Sequence, residues 1–340
     1  MGMKNLLVLS LFLATLFSVT AADTNALNKL HVGASIRCGG LWDGRLQGIC
    51  SDGKSRIYWV FNNQLIQSDL KGKVINATML KRENGTRISG GSPCYADGKI
   101  YVPYGGLIQV YNENELTYVK SLHIPELIHG AGAITFARGN FFIAAWNPPG
   151  VPGNLVLECS PEFEVQKKYH LNFSSNNGIQ TLAFDGRDFW IGISRIHPVT
   201  IRTDRNFNIR GFYNFSGSSG MIAFPKNKIL LANWISGRKH LPNPQVKSTE
   251  PHRNYAAAAV KNVEKLQITV IRLELDLQGN IFLNGKLRTP EQLCSDLRQF
   301  HRKHFVIQVP AQLPAEKLVA VTSLIKHRIS CDVDIELLNR

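Results

Sequence analysis

The sequence lacks the compact motifs that mark common catalytic and metal-binding sites. Its 340 residues contain no C-x-x-C pair, no G-x-S-x-G turn and no H-E-x-x-H helix. Acidic side chains are few, since 25 Asp and Glu stand against 39 Lys and Arg and the formal net charge is +14. We therefore predict a protein that is not an enzyme, with no catalytic residue, no metal and no cofactor.

Long apolar runs are missing after residue 22. The segment 1–22 contains Lys4, an apolar run over Leu6–Phe17 and the small residues Ala21 and Ala22, which are the three parts of a secretory signal. Its apolar core is shorter than the roughly 20 residues that a spanning helix needs. We predict a signal peptide and an exported chain, located in the periplasm or cell envelope. The alternative is an uncleaved N-terminal anchor in the inner membrane.

Cysteine is scarce, with six residues in the chain. An even number in an exported protein permits disulfide bonds. We predict two pairings: Cys38–Cys50 would close a short loop, and Cys294–Cys331 would join a helix to the last strand of the C-terminal region. The alternative is that these side chains are buried thiols that act as small hydrophobic residues.

The region 36–235 repeats one pattern five times. Each copy has a run of small and apolar residues, a tight turn, and a run of β-branched and aromatic residues. The turn residues are separated by 45, 41, 47 and 41 positions and are Gly53, Gly98, Gly139, Gly186 and Asn227. An Asp-Gly pair supplies the positive φ that a two-residue hairpin turn requires. The pattern therefore predicts a β-hairpin in each copy.

Further β-rich runs follow the hairpin in the first two copies, at 64–69 and 107–111. Four short strands in a repeat of 41–47 residues are typical of a propeller blade. Because one blade cannot bury both of its faces, blades must pack around a common axis. We predict an all-β propeller of about five blades over 23–235, in which 27–33 supplies an outer strand that closes the ring. The alternative is a six-bladed ring with one degenerate copy.

Aromatic residues recur where the second strand of a copy ends. Trp146 and Trp234 occupy the same place in their copies, and Tyr104 lies near the corresponding point of the second copy. Aromatic side chains on loops around one face can hold a peptide or a carbohydrate by stacking. These three residues are the predicted ligand-binding site, and packing between blades is the alternative role.

The expected partner is an envelope protein, a peptide or a polysaccharide. Nucleic acid is not expected, because an exported chain without a stripe of alternating basic and aromatic residues has no surface to read it. A membrane is expected as a partner only if the N-terminal segment stays uncleaved.

The segment 236–262 is rich in proline and basic residues and has few apolar residues before Tyr255. Prolines among polar residues favour an extended, semi-rigid connector. We predict a basic, solvated linker between two domains, with a short helix beginning in 256–259. The alternative is a basic arm that touches anionic lipid or wall polymer.

The region 263–340 has a different pattern, which predicts a small α+β domain with the order β-β-α-β-α-β. The segment 267–276 alternates over its second half, as a strand with one buried face does. Thr289, Pro290 and Gln292 then form the start of a helix, with Thr289 and Gln292 as a capping box. Two helices over one face of a mixed sheet would follow from this order.

The order and the residues of this region resemble the periplasmic domain of the ExbD/TolR family of biopolymer-transport proteins. The resemblance is carried by the hairpin D-x-x-G-x-I-x-x-N-G over 276–285 and by the segments 289–293, 305–309 and 318–325. It implies an accessory role in transport driven by the proton-motive force, and a domain that forms homodimers and contacts envelope partners. The functional Asp of the family's transmembrane helix has no counterpart, because 1–22 contains no acidic residue.

The function that follows is that of a non-enzymatic binding protein of the cell envelope, in which a propeller is joined to an accessory module of an ExbD/TolR-type transport system. One alternative is an exported propeller hydrolase or lactonase. The other is a membrane-anchored component of a transport complex. The identity of the ligand, the number of blades and the oligomeric state do not follow from the sequence.

Overall fold

A computed structural model describes residues 35–338, with gaps. The gaps are 41, 43–44, 81–88, 148–153, 172–177, 194–198, 227, 236–253, 269, 284, 299–303, 311, 315, 322 and 324–331. The predicted signal peptide at 1–22 and the predicted closing strand at 27–33 lie outside the described residues. Within the described residues the chain is mostly β and forms six sheets. None of the helices found there has the length and the apolar character needed to cross a bilayer.

The first two sheets each contain four antiparallel strands in chain order. The strands of the first sheet are β2 (Leu46–Ser51), β3 (Arg56–Phe61), β4 (Gln64–Asp69) and β5 (Val74–Met79). Those of the second sheet are β6 (Cys94–Ala96), β7 (Lys99–Tyr104), β8 (Leu107–Asn112) and β9 (Tyr118–His123).

The third and fourth sheets repeat this plan. The third consists of β10 (Ala131–Ala137), β11 (Asn140–Ala145), β12 (Leu155–Cys159) and β13 (Val165–His170). The fourth consists of β14 (Ile179–Phe184), β15 (Phe189–Ile193), β16 (Thr200–Thr203) and β17 (Ile209–Tyr213), with β21 (Gln267–Ile268) added at its outer edge.

The fifth sheet is built from both ends of this region. Its first strands are β18 (Met221–Phe224), β19 (Lys228–Ile235) and β20 (Asn254–Ala259). The outer strand is β1 (Ser35–Arg37), which pairs antiparallel with β20, so that Ile36 lies opposite Ala257. A strand from the N-terminal side thus completes the last sheet.

Strand β20 lies inside the range predicted as a linker, of which 236–253 is outside the described residues. The prediction of a short helix beginning in 256–259 is wrong, because these alanines pair with β19 and β1 on their two sides. Alanine favours a helix in isolation, but Ala256 and Ala257 are buried here and the open edge of β19 supplies hydrogen-bond partners. Tertiary contacts therefore decide the conformation of this segment.

In the first four sheets, the turns between the first and second strands are of two kinds. Two-residue turns with positive φ occur at Asp97-Gly98 (φ 48° and 72°) and at Arg138-Gly139 (φ 57° and 84°), as a type I′ hairpin requires. The first and fourth sheets instead have four-residue loops, 52–55 and 185–188. The two-residue hairpins predicted there are wrong, because each aspartate caps a longer loop.

Large apolar side chains fill the spaces between successive sheets. In β3, Ile57, Trp59 and Phe61 pack into the cluster shared with the fifth sheet, while Tyr58 and Val60 pack into the cluster shared with the second. All five are fully buried. Similar clusters join the second sheet to the third, the third to the fourth and the fourth to the fifth. The five antiparallel sheets therefore have two apolar faces each.

A second turn also recurs, between the third and fourth strands. The side chains of Asp69, Ser160 and Asp204 accept backbone N–H bonds within their turns. Three residues later the backbone has positive φ, at Gly72 (85°), Phe163 (69°) and Phe207 (62°). Phe207 is buried and stacks on Phe189 at a centroid distance of 4.6 Å. The turn thus inserts an aromatic side chain between sheets.

The first strands of the sheets contact one another in succession. Strand β2 contacts β6, β6 contacts β10, β10 contacts β14, and β14 contacts β18. Strand β18 contacts β2 in turn. Backbones approach closely along this series, since Ser92 donates a hydrogen bond of 2.9 Å to Gly132 and Gly91 donates one of 2.7 Å to Pro103.

The remaining residues form a mixed sheet with the strand order β24-β23-β22-β25-β26. These strands are β22 (Val270–Leu275), β23 (Ile281–Leu283), β24 (Lys286–Arg288), β25 (His304–Pro310) and β26 (Asp332–Leu338). Helix α1 (Pro290–Arg298) follows β24, a second helix includes 316–321, and a 3-10 turn at Val263–Leu266 precedes β21. The structure adds β24 to the predicted order of elements.

The capping box predicted at the start of α1 is confirmed. The backbone N–H of Gln292 donates to the Thr289 hydroxyl at 3.3 Å, and the Gln292 side chain accepts from the Thr289 N–H at 3.0 Å. Leu293 is fully buried on the inner face of the helix and packs with Leu273 and Ile307 of the mixed sheet.

Two glycines with similar backbone angles provide a test of how β1 packs. At Gly72 an added Cβ would lie 1.7 Å from the Arg37 carbonyl oxygen, whereas at Gly53 it would meet nothing within 4 Å. Gly53→Ala should cost about 1–2 kcal/mol, because its φ is positive. Gly72→Ala should cost clearly more, because β1 must also move. Urea unfolding of both variants measures the difference, and equal losses would contradict the packing described for β1.

Candidate functional site

The candidate site lies where the second strands of the second and third sheets end. Tyr104 is the last residue of β7, and Trp146 directly follows β11. Hydrogen bonds join the backbone segments next to these two residues. The Ala131 N–H donates to the Gly105 carbonyl at 2.6 Å, and the Trp146 N–H donates to the Gly130 carbonyl at 2.9 Å. The structure therefore brings two of the three predicted residues onto one continuous strip of backbone.

The backbone of Trp146 is also held from the side of the fourth sheet. A Cβ added to Gly178 would lie 2.6 Å from the Ala145 oxygen and 2.9 Å from the Trp146 Cα. Only a residue without a side chain permits this approach. Close contacts between main chains thus hold the backbone of Trp146.

Trp146 and Tyr104 differ in what their side chains do. The Trp146 side chain is 39% exposed, and this residue is outside the apolar clusters that join the sheets. Tyr104 is half-buried and packs against the cluster between the first and second sheets. Packing between sheets accounts for Tyr104, while Trp146 presents its ring to solvent.

Trp234, the third predicted residue, belongs to β19 and lies opposite Tyr255 of β20. It shares with Trp146 its place near the end of a second strand. Its side chain is outside the described residues.

Ile128 is a residue of this site that sequence reasoning missed. It is 86% exposed, and it lies two residues before Gly130, which accepts the Trp146 hydrogen bond. Its neighbour Leu127 is buried, and the backbone turns tightly between Ile124 and Gly130. Two adjacent apolar residues in a tight turn cannot both point inward, and this is the signal that could have found Ile128.

The aspartates of the hairpin turns have structural roles. Asp52 accepts three backbone N–H bonds of 2.8–2.9 Å. Asp185 accepts two backbone bonds and a third of 2.9 Å from the Trp190 indole. Both aspartates therefore stabilise the loops that contain them. Within the described part of the chain, no three His, Cys, Asp or Glu side chains come together as metal ligands.

The predicted disulfide between Cys38 and Cys50 is not formed in the structure, and both residues are free and buried. Cys38 packs into the cluster between the fifth and first sheets, whereas Cys50 packs into the cluster between the first and second. The first sheet therefore separates the two thiols. Of the other predicted pair, the Cys294 side chain and Cys331 lie outside the described residues.

Comparisons with known proteins identify no function. A model of the Periviscerokinin family matches residues 217–226, a short segment that includes β18, and no curated protein matches. One similar solved structure is a protein of unknown function from Bacteroides caccae. It is 12% identical, with a TM-score of 0.38, and the match covers 58% of this chain and 72% of that chain.

The predicted resemblance to the ExbD/TolR family is wrong, because the family match falls in another part of the chain and gives no support for that family. The hairpin that suggested it has a local explanation. The Asp276 carboxylate accepts bonds of 2.8 and 2.7 Å from the backbone and side chain of Asn280, and Gly279 and Gly285 have positive φ. These residues specify turns, which many unrelated hairpins require.

The described cysteines provide a test of the packing around the site. Burial raises the pKa of Cys38 and of Cys159 to about 12, and raises that of Cys50 and Cys94 well above the ordinary thiol value. The reactive thiolate is therefore scarce at pH 8.5. Iodoacetamide at that pH should leave all four unmodified in the folded protein and label them in urea, as read by peptide mass mapping. A disulfide-linked peptide containing Cys38 and Cys50 would contradict the structure.

Proposed function

We propose that the five antiparallel sheets are the blades of a five-bladed propeller, and that this propeller binds a protein segment at the strip around Trp146 and Ile128. The binding is non-enzymatic. The proposal has two parts, the ring and the binding surface, and different observations support each of them.

The ring is supported by the succession of contacts between sheets. An apolar cluster lies between each sheet and the next, including one that joins the fifth sheet to the first through Leu230 and Trp59. The contact between β18 and β2 is what a closed ring of five sheets requires. Pairing of β1 with β20 joins the two ends of the chain segment that forms the ring, an arrangement that protects the edges of a propeller.

The single observation that carries the binding function is the exposure of Trp146 and Ile128 on neighbouring backbone segments joined by hydrogen bonds. Exposed apolar side chains that lie close together mark interaction sites more often than isolated ones do. Tryptophan at such a place is the side chain most often found at the energetic centre of an interface.

A protein segment is the partner favoured by this chemistry. The indole of Trp146 could stack on a sugar ring as well as on a side chain. Ile128, however, has only methyl and methylene groups to offer, and these gain free energy by contact with an apolar side chain. If the chain is exported, as the segment 1–22 predicts, the partner is a protein of the cell envelope. The catalytic and membrane-anchored alternatives stay predictions.

The test uses peptides selected from a random phage-displayed library on the full chain. Selected peptides should bind the variant Trp146→Ala at least tenfold more weakly, because loss of a central tryptophan typically costs 2 kcal/mol or more. Ile128→Ala should weaken the same peptides by a smaller factor. Fluorescence anisotropy with a labelled peptide measures both.

Leu277→Ala is the matched control, because Leu277 is 50% exposed in a turn of the mixed sheet, away from the strip. It should bind the peptides as the unchanged chain does. Equal binding by all three variants would show that the strip is not the site. Soluble oligosaccharides are tested in parallel, and binding of these alone, dependent on Trp146, would replace a protein partner by a carbohydrate.

A further inference from the structure

A second concave surface lies at the outer edge of the fourth sheet, where β21 and the 3-10 turn before it pack against β17. The cleft has a volume of about 730 Å³. Four arginines line the cleft: Arg187, Arg202, Arg205 and Arg210. Three carboxylates also line it: Asp188, Asp204 and Glu264. The lining is therefore rich in guanidinium groups.

One buried carboxylate organises three of these arginines. Asp188, only 2% exposed, accepts a hydrogen bond of 2.8 Å from Arg202 Nε and one of 3.2 Å from Arg187 Nε. Arg210 Nε lies 3.8 Å from its other oxygen. The three guanidinium groups come from a turn and two strands, so they reach the cleft from different directions.

The other two carboxylates neutralise the cluster only in part. Asp204 accepts bonds from Asn206 and Asn208 in its own turn, and its Oδ2 also lies 3.8 Å from Arg210 Nη2. Glu264 Oε1 lies 3.7 Å from Arg202 Nη1. Arg205 is exposed and makes no ion pair with any described residue. The side chains of Arg187, Arg210 and Glu264 are 69%, 59% and 59% exposed. Four arginines against three carboxylates leave the lining with a formal charge of +1.

Arg202 is the buried member of the cluster. Its side chain is 8% exposed, and both Nε and Nη2 lie 2.8 Å from Asp188 Oδ2. Its Nη1 donates to the Tyr213 hydroxyl at 3.5 Å, and the guanidinium carbon lies 5.1 Å from the centroid of the Trp190 ring. Arg202 thus holds Asp188 in place, and an anion in the cleft would meet the exposed Arg187, Arg205 and Arg210 instead.

The repeated architecture does not require these arginines. Arg202 directly precedes the point where the pairing of the third and fourth strands changes register. The corresponding residues of the first three sheets are Gln67, Val110 and Glu158. A cationic side chain at this place is therefore particular to the fourth sheet, where Arg202 pairs with the buried Asp188.

We propose that this cleft binds the phosphate group of an organic phosphate ester. Guanidinium groups pair with phosphate oxygens through two parallel bonds and are the preferred side chains for such ions. Donors that converge from several elements suit a tetrahedral ion better than a planar carboxylate. The volume leaves room for the organic part of the ester, beside Ile209 and Tyr213.

The test is calorimetric titration of the full chain with glycerol 3-phosphate, and sedimentation with vesicles of phosphatidylcholine containing phosphatidic acid. The first represents a soluble ester and the second a lipid headgroup. The double variant Arg205→Ala, Arg210→Ala should reduce the affinity at least tenfold. Both side chains are exposed, so the fold should persist, and a thermal melt checks this. Binding to either probe identifies the source of the phosphate.

The control is the double variant Lys120→Ala, Lys168→Ala, which removes the same charge from exposed positions on the outer strands of the second and third sheets. It should bind the phosphate as the unchanged chain does. Equal weakening by both double variants would show that the net charge alone attracts the anion. That result, or no binding of either probe to the unchanged chain, would overturn the proposal.

Discussion

The fold depends on burial of large apolar side chains on both faces of each antiparallel sheet. Trp59 and Tyr58 are neighbours in one strand, they point to opposite sides, and both are fully buried. A sheet of this kind requires an apolar neighbour on each side, because each exposed large side chain would forfeit about 1.5–3 kcal/mol. In an open row of such sheets, the outer apolar faces of the first and last sheets would be exposed to solvent. The packing of the fifth sheet against the first buries both faces.

Much of this arrangement could be predicted from the sequence. The spacing of the turn residues and the runs of β-branched and aromatic residues located the first two strands of every sheet. The third strand of the fifth sheet could not be found in this way, because its alanines have little β propensity and only the edge of β19 makes them a strand. The buried aromatic turns such as that at Phe207 were also missed, since positive φ is uncommon at phenylalanine.

The candidate surfaces were less predictable than the fold. Trp146 could be placed because it occupies a repeated position in its copy. Ile128 and the arginines of the fourth sheet come together from separate loops and strands, and no spacing in the sequence records that proximity. The mistaken family resemblance has the opposite cause. A hairpin held by Asp276 and two glycines has a strong sequence pattern, but the pattern describes a turn and not an ancestry.

The pairing of β1 with β20 has a consequence for biosynthesis. More than two hundred residues separate Ile36 from its partner Ala257. The ribosome must therefore synthesise the whole repeat region and the segment that follows it before the N-terminal strand can dock. Contacts of such long range slow folding, because the entropy of loop closure is lost before the contacts form. Until then β1 has no partner strand, and the apolar faces that the first and fifth sheets turn toward each other stay exposed to solvent. Exposed apolar surface of this kind favours aggregation during synthesis.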